Sequence, residues 1–405
     1  MSGVFADVRK SVPAKWTVSK LSDMASIASG TTPARSEQSR YFEGGCTPWV
    51  KTGDLNNGVV LSTEESLTPV AINECSVKVF PAETVLVAMY GGFRQIGRTG
   101  RLSVPSAVNQ ALSALSIKDK ALVPAYVQVW LNTRVTLWRR FAASSRKDPN
   151  ITGTDVAAFP IAFPNVAEQR RIAGLSSTWN QAIEVTEQLI VATQKRKQAL
   201  MHKVLQGVNG SRPQSKLGRL FEQKKAKGTK NLPTYSVTMY DGLVLRDSLE
   251  RKNETSLRPD QHLLIEKNDI AYNMMRMWQG ASGLAPESGL VSPAYVVLRS
   301  LGDVDPLFAS YWFKTPRVVK KFQDYSHGLT KDRLRLYYKD FASIALPVPP
   351  LELQRKIART LSACDRELDY LCRKVDLLKQ QKKGLMQQLL TGQIRVKLPK
   401  VKGKK

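Results

Sequence analysis

The sequence predicts an α+β chain. Two globular α/β modules are separated by two long antiparallel α-helices that form a coiled coil, and the whole is an internal repeat with pseudo-two-fold symmetry. Three observations predict this. The stretch Pro164–Gly207 matches Pro349–Gly392 at one fixed offset, without a gap. Both stretches carry a seven-residue apolar repeat. The segments between them also echo each other, more faintly.

The long repeat is justified pair by pair. Gln169/Gln354, Arg170/Arg355, Ile172/Ile357 and Ala173/Ala358 are identical, as are Lys197/Lys382, Leu200/Leu385, Met201/Met386, Leu205/Leu390 and Gly207/Gly392. A proline opens each copy, which suits a first helical turn, and a glycine closes each, which suits a C-terminal cap. The second copy places Ile357, Leu361, Cys364, Leu368, Leu371, Val375 and Leu378 at alternating steps of four and three, the spacing of a heptad seam. Lys382 interrupts the seam, and Leu385 and Leu389 resume it. The first copy repeats the register with Ile172, Ser176, Trp179, Ile183, Thr186, Ile190 and Thr193, then Leu200 and Val204. Matched registers imply that the two helices pack on each other. Some forty residues at ~1.5 Å each give roughly 60 Å, longer than the face of a small domain.

The modules follow the same plan. Glu83–Gly92 (ETVLVAMYGG) and Asn268–Met277 (NDIAYNMMRM) each read as a short buried strand leading into a loop. Gly-rich polar loops follow, then a proline-opened helix in each, PAYVQVWLNTRVTLWRRF and DPLFASYWFKTPRVVKKF. Polar basic loops come next, SSRKDPNITGTD and SHGLTKDRLRLYYKD, and a proline-containing strand, FPIAFP or IALPVPP, leads into each long helix. The expected order is a module over 1–163, a helix over 164–207, a module over 208–348, a helix over 349–392 and a basic tail over 393–405. A Gly/Asn/Ser/Pro linker, Gln206–Lys216, marks the midpoint.

Charge bounds the partners. There are 61 Lys+Arg against 34 Asp+Glu, a net +27, and the excess lies on every part of the chain. This exceeds what solubility asks and favours a polyanion, nucleic acid first. No long apolar run suggests a membrane span. The N-terminal residues do not read as a signal peptide. Four cysteines without a CxxC pair, with three histidines, argue against a zinc site or a disulfide framework and fit a reducing cytoplasm.

Catalytic motifs are missing. No GxxxxGK[ST] phosphate loop is present. Asp148–Asn150 (DPN) lacks the second proline and the aromatic of an adenine-methylating pocket. Pro259-Asp260 with Glu266-Lys267 has a partial nuclease look at the wrong spacing. Gly91–Gly97 is not a dinucleotide fingerprint, and His202, His262 and His327 have no ligand partners at metal spacing. No catalytic residue and no metal ligand is expected.

The helix starts Pro164…Gln169…Ile172-Ala173 and Pro349…Gln354…Ile357-Ala358, and the helix exit QQKKGLMQQLLTG (Gln380–Gly392), carry a family resemblance. So do GTTP (Gly30–Pro33), TPWVKTGDL (Thr47–Leu55) and NMMRMWQGASG…GLVSPAY (Asn273–Tyr295). Over nearly its whole length the chain resembles the specificity subunit of type I restriction–modification systems. It departs where PNVAEQ lacks a second proline and where PPLELQ has no Glu before Gln.

The resemblance implies that each module is a target-recognition domain reading one half of a bipartite double-stranded DNA target. The helices would set the unread spacer and hold two adenine-N6 methyltransferase subunits, each using S-adenosylmethionine. Two motor-nuclease restriction subunits, using ATP and magnesium, would complete the restriction enzyme. This chain would be non-catalytic and hold no cofactor. The alternatives are the specificity subunit of a fused nuclease–methyltransferase system and a free-standing DNA-binding regulator.

Base readout calls for forked or bidentate side chains, and phosphate contact for cations, hydroxyls and backbone N–H groups, gathered on loops. The first-module candidates are Lys51, Thr52, Arg94, Gln95, Arg98, Arg146, Lys147 and Asn150. In the second they are Asn273, Arg276, Trp278, Gln279, Ser326, His327, Lys331, Arg333 and Arg335.

Overall fold

The computed structural model describes residues 2–92, 95–141, 150–206, 214–249, 257–330 and 333–397, with backbone alone at residue 2 and at 204–206. The chain divides into two units: residues 1–187 with 373–405, and residues 188–372. The helices that frame them are α1 (Ser2–Lys10), α2 (Pro124–Thr133), α3 (Val166–Gln206), α4 (Pro306–Trp312), α5 (Pro316–Asp324) and α6 (Leu351–Leu390). The fold mixes helix and sheet in both units.

In the first unit, strand Leu112–Ile117 lies between Ala25–Ser29 and Val85–Ala88, antiparallel to both. Thr99–Leu102 extends the sheet beyond Val85–Ala88. The apolar run Val85–Leu86–Val87–Ala88 is wholly buried because both faces of the sheet are covered. α2 buries Tyr126 and Trp130 against Ile161 and Ala162 of strand Pro160–Phe163. In the second unit, Tyr295–Ser300 lies between Phe221–Lys224 and Ile270–Asn273. Phe313, Phe322 and Phe341 form an aromatic cluster behind that sheet.

Two local expectations are corrected. The long helices begin at Val166 and Leu351, two residues beyond Pro164 and Pro349. Asn165 caps α3, its Oδ1 accepting from the Glu168 N–H at 3.0 Å. The prolines supply carbonyls instead of first-turn positions. In addition, neither proline-opened helix runs its full stretch. The first gives way to a 3₁₀ turn over Val135–Arg140. The second breaks into α4 and α5 at Thr315–Pro316, because proline has no N–H to donate and disfavours helical backbone before it.

The repeated glutamines have a clear role. Gln169 Oε1 accepts from the Val123 N–H at 2.9 Å, and its Nε2 donates to the carbonyls of Ala121 (2.7 Å) and Pro164 (2.9 Å). Gln354 makes the same three bonds: from the Asp305 N–H (2.8 Å), and to the carbonyls of Asp303 (3.1 Å) and Pro349 (2.8 Å). Each buried amide thus fastens the start of a long helix to the loop that opens α2 or α4. A buried backbone N–H or carbonyl must be paired, and one amide side chain pairs three.

The described seam positions are buried or half-buried. In the first unit these are Ile172, Ser176, Trp179, Ile183, Thr186, Val375, Leu378, Leu385 and Leu389. In the second they are Ile190, Thr193, Leu200, Ile357, Leu361, Cys364, Leu368 and Leu371. The Val204 side chain lies outside the described residues. The Thr186 hydroxyl is satisfied by its own helix, donating to the Ala182 carbonyl at 2.7 Å. In the first unit Lys382 donates to Asn180 Oδ1 and Lys379 pairs with Glu187, so the two helical segments run in opposite directions. In the second unit Lys197 pairs with Asp365 and Arg196 with Glu367, again in opposite directions. Lys382–Asn180 and Lys197–Asp365 are one contact seen twice, related by the offset of the sequence repeat. Beyond α6, Arg395 grips both carboxylate oxygens of the buried Glu168, at 2.6 and 2.5 Å.

Candidate nucleic-acid interface

In each unit the central buried strand delivers the chain into a polar loop. In the first unit that loop follows Val85–Ala88. It closes as a tight return, the Ala88 N–H donating to the Arg98 carbonyl and the Gly97 N–H to the Ala88 carbonyl. Gly97 has φ +77°, and a Cβ there would collide with the Trp138 ring, so no other residue fits. Gln95 and Arg98 are half-buried on the loop, and Tyr90 is exposed. The Gln95 Oε1 is buried without a hydrogen-bond partner among the described residues. Asn150 is exposed beside this loop, because the Ile151 N–H donates to the Met89 carbonyl at 3.0 Å. Arg94, Arg146 and Lys147 lie outside the described residues.

The second unit repeats the design. Asn273 ends its strand and its Oδ1 accepts from the Met275 N–H at 3.0 Å, starting a turn. A 3₁₀ turn over Met277–Gln279 ends at Gly280, φ +89°. Met277 is fully buried and anchors the loop, while Arg276 is exposed. The Arg276 Nη1 donates to Gln279 Oε1 at 3.3 Å, and the Trp278 Nε1 donates to the Met275 carbonyl at 3.0 Å. The other candidate loop is closed by His327 and Arg335, each backbone N–H donating to the other's carbonyl at 2.9 Å. His327, Arg333 and Arg335 are exposed; the Ser326 hydroxyl donates to the Phe322 carbonyl at the end of α5. Lys331 lies outside the described residues. The Leu336 N–H donates to the Met274 carbonyl at 2.9 Å, joining this loop to the Asn273–Gly280 loop.

Ile151→Met89 and Leu336→Met274 are one hydrogen bond at two places, again related by the repeat offset. In both units it ties a Gly-rich loop to a basic loop. Ile151 and Leu336 are wholly buried, so each junction belongs to the core of its unit.

Lys51 and Thr52 are placed differently. The Lys51 ammonium is half-buried between Glu64 (2.8 Å) and Glu65 (2.6 Å), and Thr52 opens a 3₁₀ turn closed by Asp54. Arg35 pairs with both oxygens of Glu65 and lies over the rings of Phe42 and Trp49. Arg35, and then Lys51, hold the Glu65 carboxyl at about 2. This is a cluster of mutually satisfied charges inside the module. The Glu266 carboxyl is likewise held at about 2, by Lys224 and then Arg299. Glu266 thus has its charge satisfied by Lys224 and Arg299. Among the described residues no group of three or more His, Cys, Asp or Glu could hold a metal ion. None of their helices is long and apolar enough to cross a membrane.

Sequence reasoning missed two features. Tyr337 is exposed two residues beyond Arg335, and the alternation of arginine and leucine running into two tyrosines in RLRLYYKD was a signal for it. The first unit also holds a cleft of about 1140 Å³ lined by Asn132, Arg134, Lys379, Lys382 and Lys383 among others. Burial pushes the Lys382 ammonium and the Arg134 guanidinium below their ordinary values. No local pattern signals this cleft, because its walls come from segments far apart in the sequence.

With this geometry in hand, comparison defines the class. The family model described as "Type I restriction modification DNA specificity domain" matches residues 13–192 and 214–379. The chain belongs to this family of DNA specificity domains. It is 27% identical over 177 residues to the type I restriction enzyme MjaIX specificity subunit of Methanocaldococcus jannaschii, covering 43% of this chain and 40% of that one. It is 24% identical over 283 residues to the putative MjaX specificity subunit of the same organism, covering 64% and 65%. The chain thus spans less than half of the first relative and about two thirds of the second. Among solved structures, the S subunit of a type I restriction–modification system from M. genitalium superposes with a TM-score of 0.60 at 16% identity, covering 92% of this chain and 96% of that one. A chain from a structure concerned with complex assembly and conformational transition of the type I system gives 0.58 at 16%, covering 95% and 99%. These likenesses show the fold.

Proposed function

We propose that this chain is the specificity subunit that reads a bipartite duplex target, one half per module, and directs methyltransferase and restriction subunits to it. The observation that carries the reading is the duplicated loop pair. Each unit presents a Gly-rich loop and a basic loop, joined by the same buried hydrogen bond, Ile151 to Met89 and Leu336 to Met274. A reader of two separated half-sites needs two equivalent surfaces of this kind. In this reading α3 and α6 form an antiparallel coiled coil that measures the unread spacer. Gln95, Arg98 and Asn150 face one half-site, with Arg94, Arg146 and Lys147 on the same loops. Asn273, Arg276, Trp278, Gln279, His327, Arg333 and Arg335 face the other, with Ser326 and Lys331 beside them. Lys51 and Thr52 shape the module rather than touch DNA.

Chemistry belongs to the partners. S-adenosylmethionine serves the two methyltransferase subunits; ATP and magnesium serve the two nuclease subunits, in the cytoplasm. The test is binding of the chain, assembled with its methyltransferase, to duplexes mutated in one half or the other. Arg276→Ala is expected to relax choice in one half, at a cost of about 1–3 kcal/mol at the affected base. Equal weakening towards both halves would overturn the modular reading. Binding is also expected to fall steeply with salt as counterions are released, and affinity flat from about 50 to 200 mM would contradict it.

A further inference from the structure

The two units differ at one end, and the difference exposes a groove. In the first unit, Thr17–Lys20 pairs with Pro160–Phe163; in the second, Gln214–Lys216 pairs with Ala345–Pro347 in the same way. The residues ahead of Thr17 include α1, whose Val4 and Val8 are buried, and Val12, buried just beyond its end. Val8 and Val12 share a core with Trp130, Ile161 and Met386. Asp7 of α1 pairs with Arg140 at 2.8 Å. In the second unit the described residues ahead of Gln214 are the end of α3, which already holds the place of the end of α6. So α1 has no counterpart there among the described residues. Among the described residues the surface it would cover is open: a groove of about 450 Å³ lined by Met201, His202, Trp312, Pro316, Leu346 and Pro347. Met201, Trp312 and Leu346 are the counterparts of Met386, Trp130 and Ile161.

We propose that this groove docks an amphipathic helix from a partner polypeptide, with aliphatic residues at four-residue spacing and a carboxylate beside them. The aliphatic face follows from what covers the same walls in the first unit. The carboxylate follows from the rim. Arg317 lines the groove and is exposed, and Lys321, exposed about one turn further along α5, precedes Phe322 as Arg140, the partner of Asp7, precedes Phe141. The occupant is not this chain's own α1, nor that of a second copy, because α1 is committed to its own unit through the buried valines and the Asp7–Arg140 pair. Helix-in-groove recognition reads apolar side chains about one turn apart on one helix face, as Val4 and Val8 are on α1. The proposal does not depend on the DNA-reading proposal.

The test uses the full chain and a labelled peptide with the sequence of residues 2–16, carrying a photo-crosslinker at the position of Val8. Saturable binding of one peptide per chain is expected, with crosslinks within 198–202 and 312–318. An Asp7→Lys peptide is expected to bind about tenfold more weakly. The chain carrying Arg317→Glu and Lys321→Glu, both exposed positions, is expected to reverse that preference while its melting temperature holds. Three results would overturn the proposal. These are no saturable binding up to about millimolar peptide, in the range where only weak non-specific contact remains; crosslinks confined to 130–163 and 386–390; or a chain dimer that disappears when residues 1–12 are removed.

Discussion

Glu65 shows how a residue can be visible in a sequence while its role is not. Lys51 stands in a basic, hydroxyl-rich context that suits phosphate contact, yet its carboxylate partners lie 13 and 14 residues away on another strand. Charge composition reveals cations, not which of them are already paired. The exposure of Arg276, by contrast, was legible, because a Gly-rich loop after a buried strand leaves an arginine there no apolar surface to cover. The Glu65 pairing makes a pH prediction. Its carboxyl falls from the ordinary 4.5 to about 2 in the folded chain. The stabilisation is therefore present above about pH 4.5 and is lost as pH falls towards 2. Glu65→Gln is expected to cost about 1 kcal/mol at pH 7, after allowing for solvent screening of a partly exposed pair. The gap to wild type should close as the pH is lowered, in urea unfolding at several pH values. A gap that persists unchanged at pH 3 would show that the ion pairs are not its source.

At the level of elements, the long helices were the most legible part of the fold. A 3.5-residue apolar period sustained along a whole helix has one common solution, and Ser176, Thr186 and Thr193 lie buried on it as the second copy's register requires. The sheets were not legible in their order. That Leu112–Ile117 lies between Ala25–Ser29 and Val85–Ala88 is set by pairings across the whole module, and alternation along a strand says nothing of its neighbours. The motif glutamines sit between these cases: conspicuous in the repeat, they were explained only by the loops they hold. Gln354→Ala leaves the Asp305 N–H and two carbonyls without their partner. A loss of about 2–4 kcal/mol is expected, from three net bonds and the penalty for stranded buried groups. Gln169→Ala should cost about the same, and denaturant midpoints would check both. A loss under about 0.5 kcal/mol would mean that water replaces the amide.

At the scale of the whole molecule, one sequence offset relates the motif glutamines and their proline acceptors, the loop junctions, and the Lys382–Asn180 and Lys197–Asp365 contacts. A repeat carried into buried hydrogen bonds is a repeat of working parts. If α3 and α6 measure the spacer, one added helical turn after Gln194, with its match in α6, lengthens the ruler by ~5.4 Å. At ~3.4 Å per base pair the tolerated gap should grow by one or two base pairs. An unchanged gap would remove the helices from that role. The measurement that tests the central claim most directly is a map of N6-methyladenine in DNA from cells expressing this chain with its methyltransferase subunit. The account predicts a split motif, two short specific halves around a fixed unread gap, that disappears when the chain is deleted. A continuous motif, or an active methyltransferase whose pattern is indifferent to this chain, would contradict it.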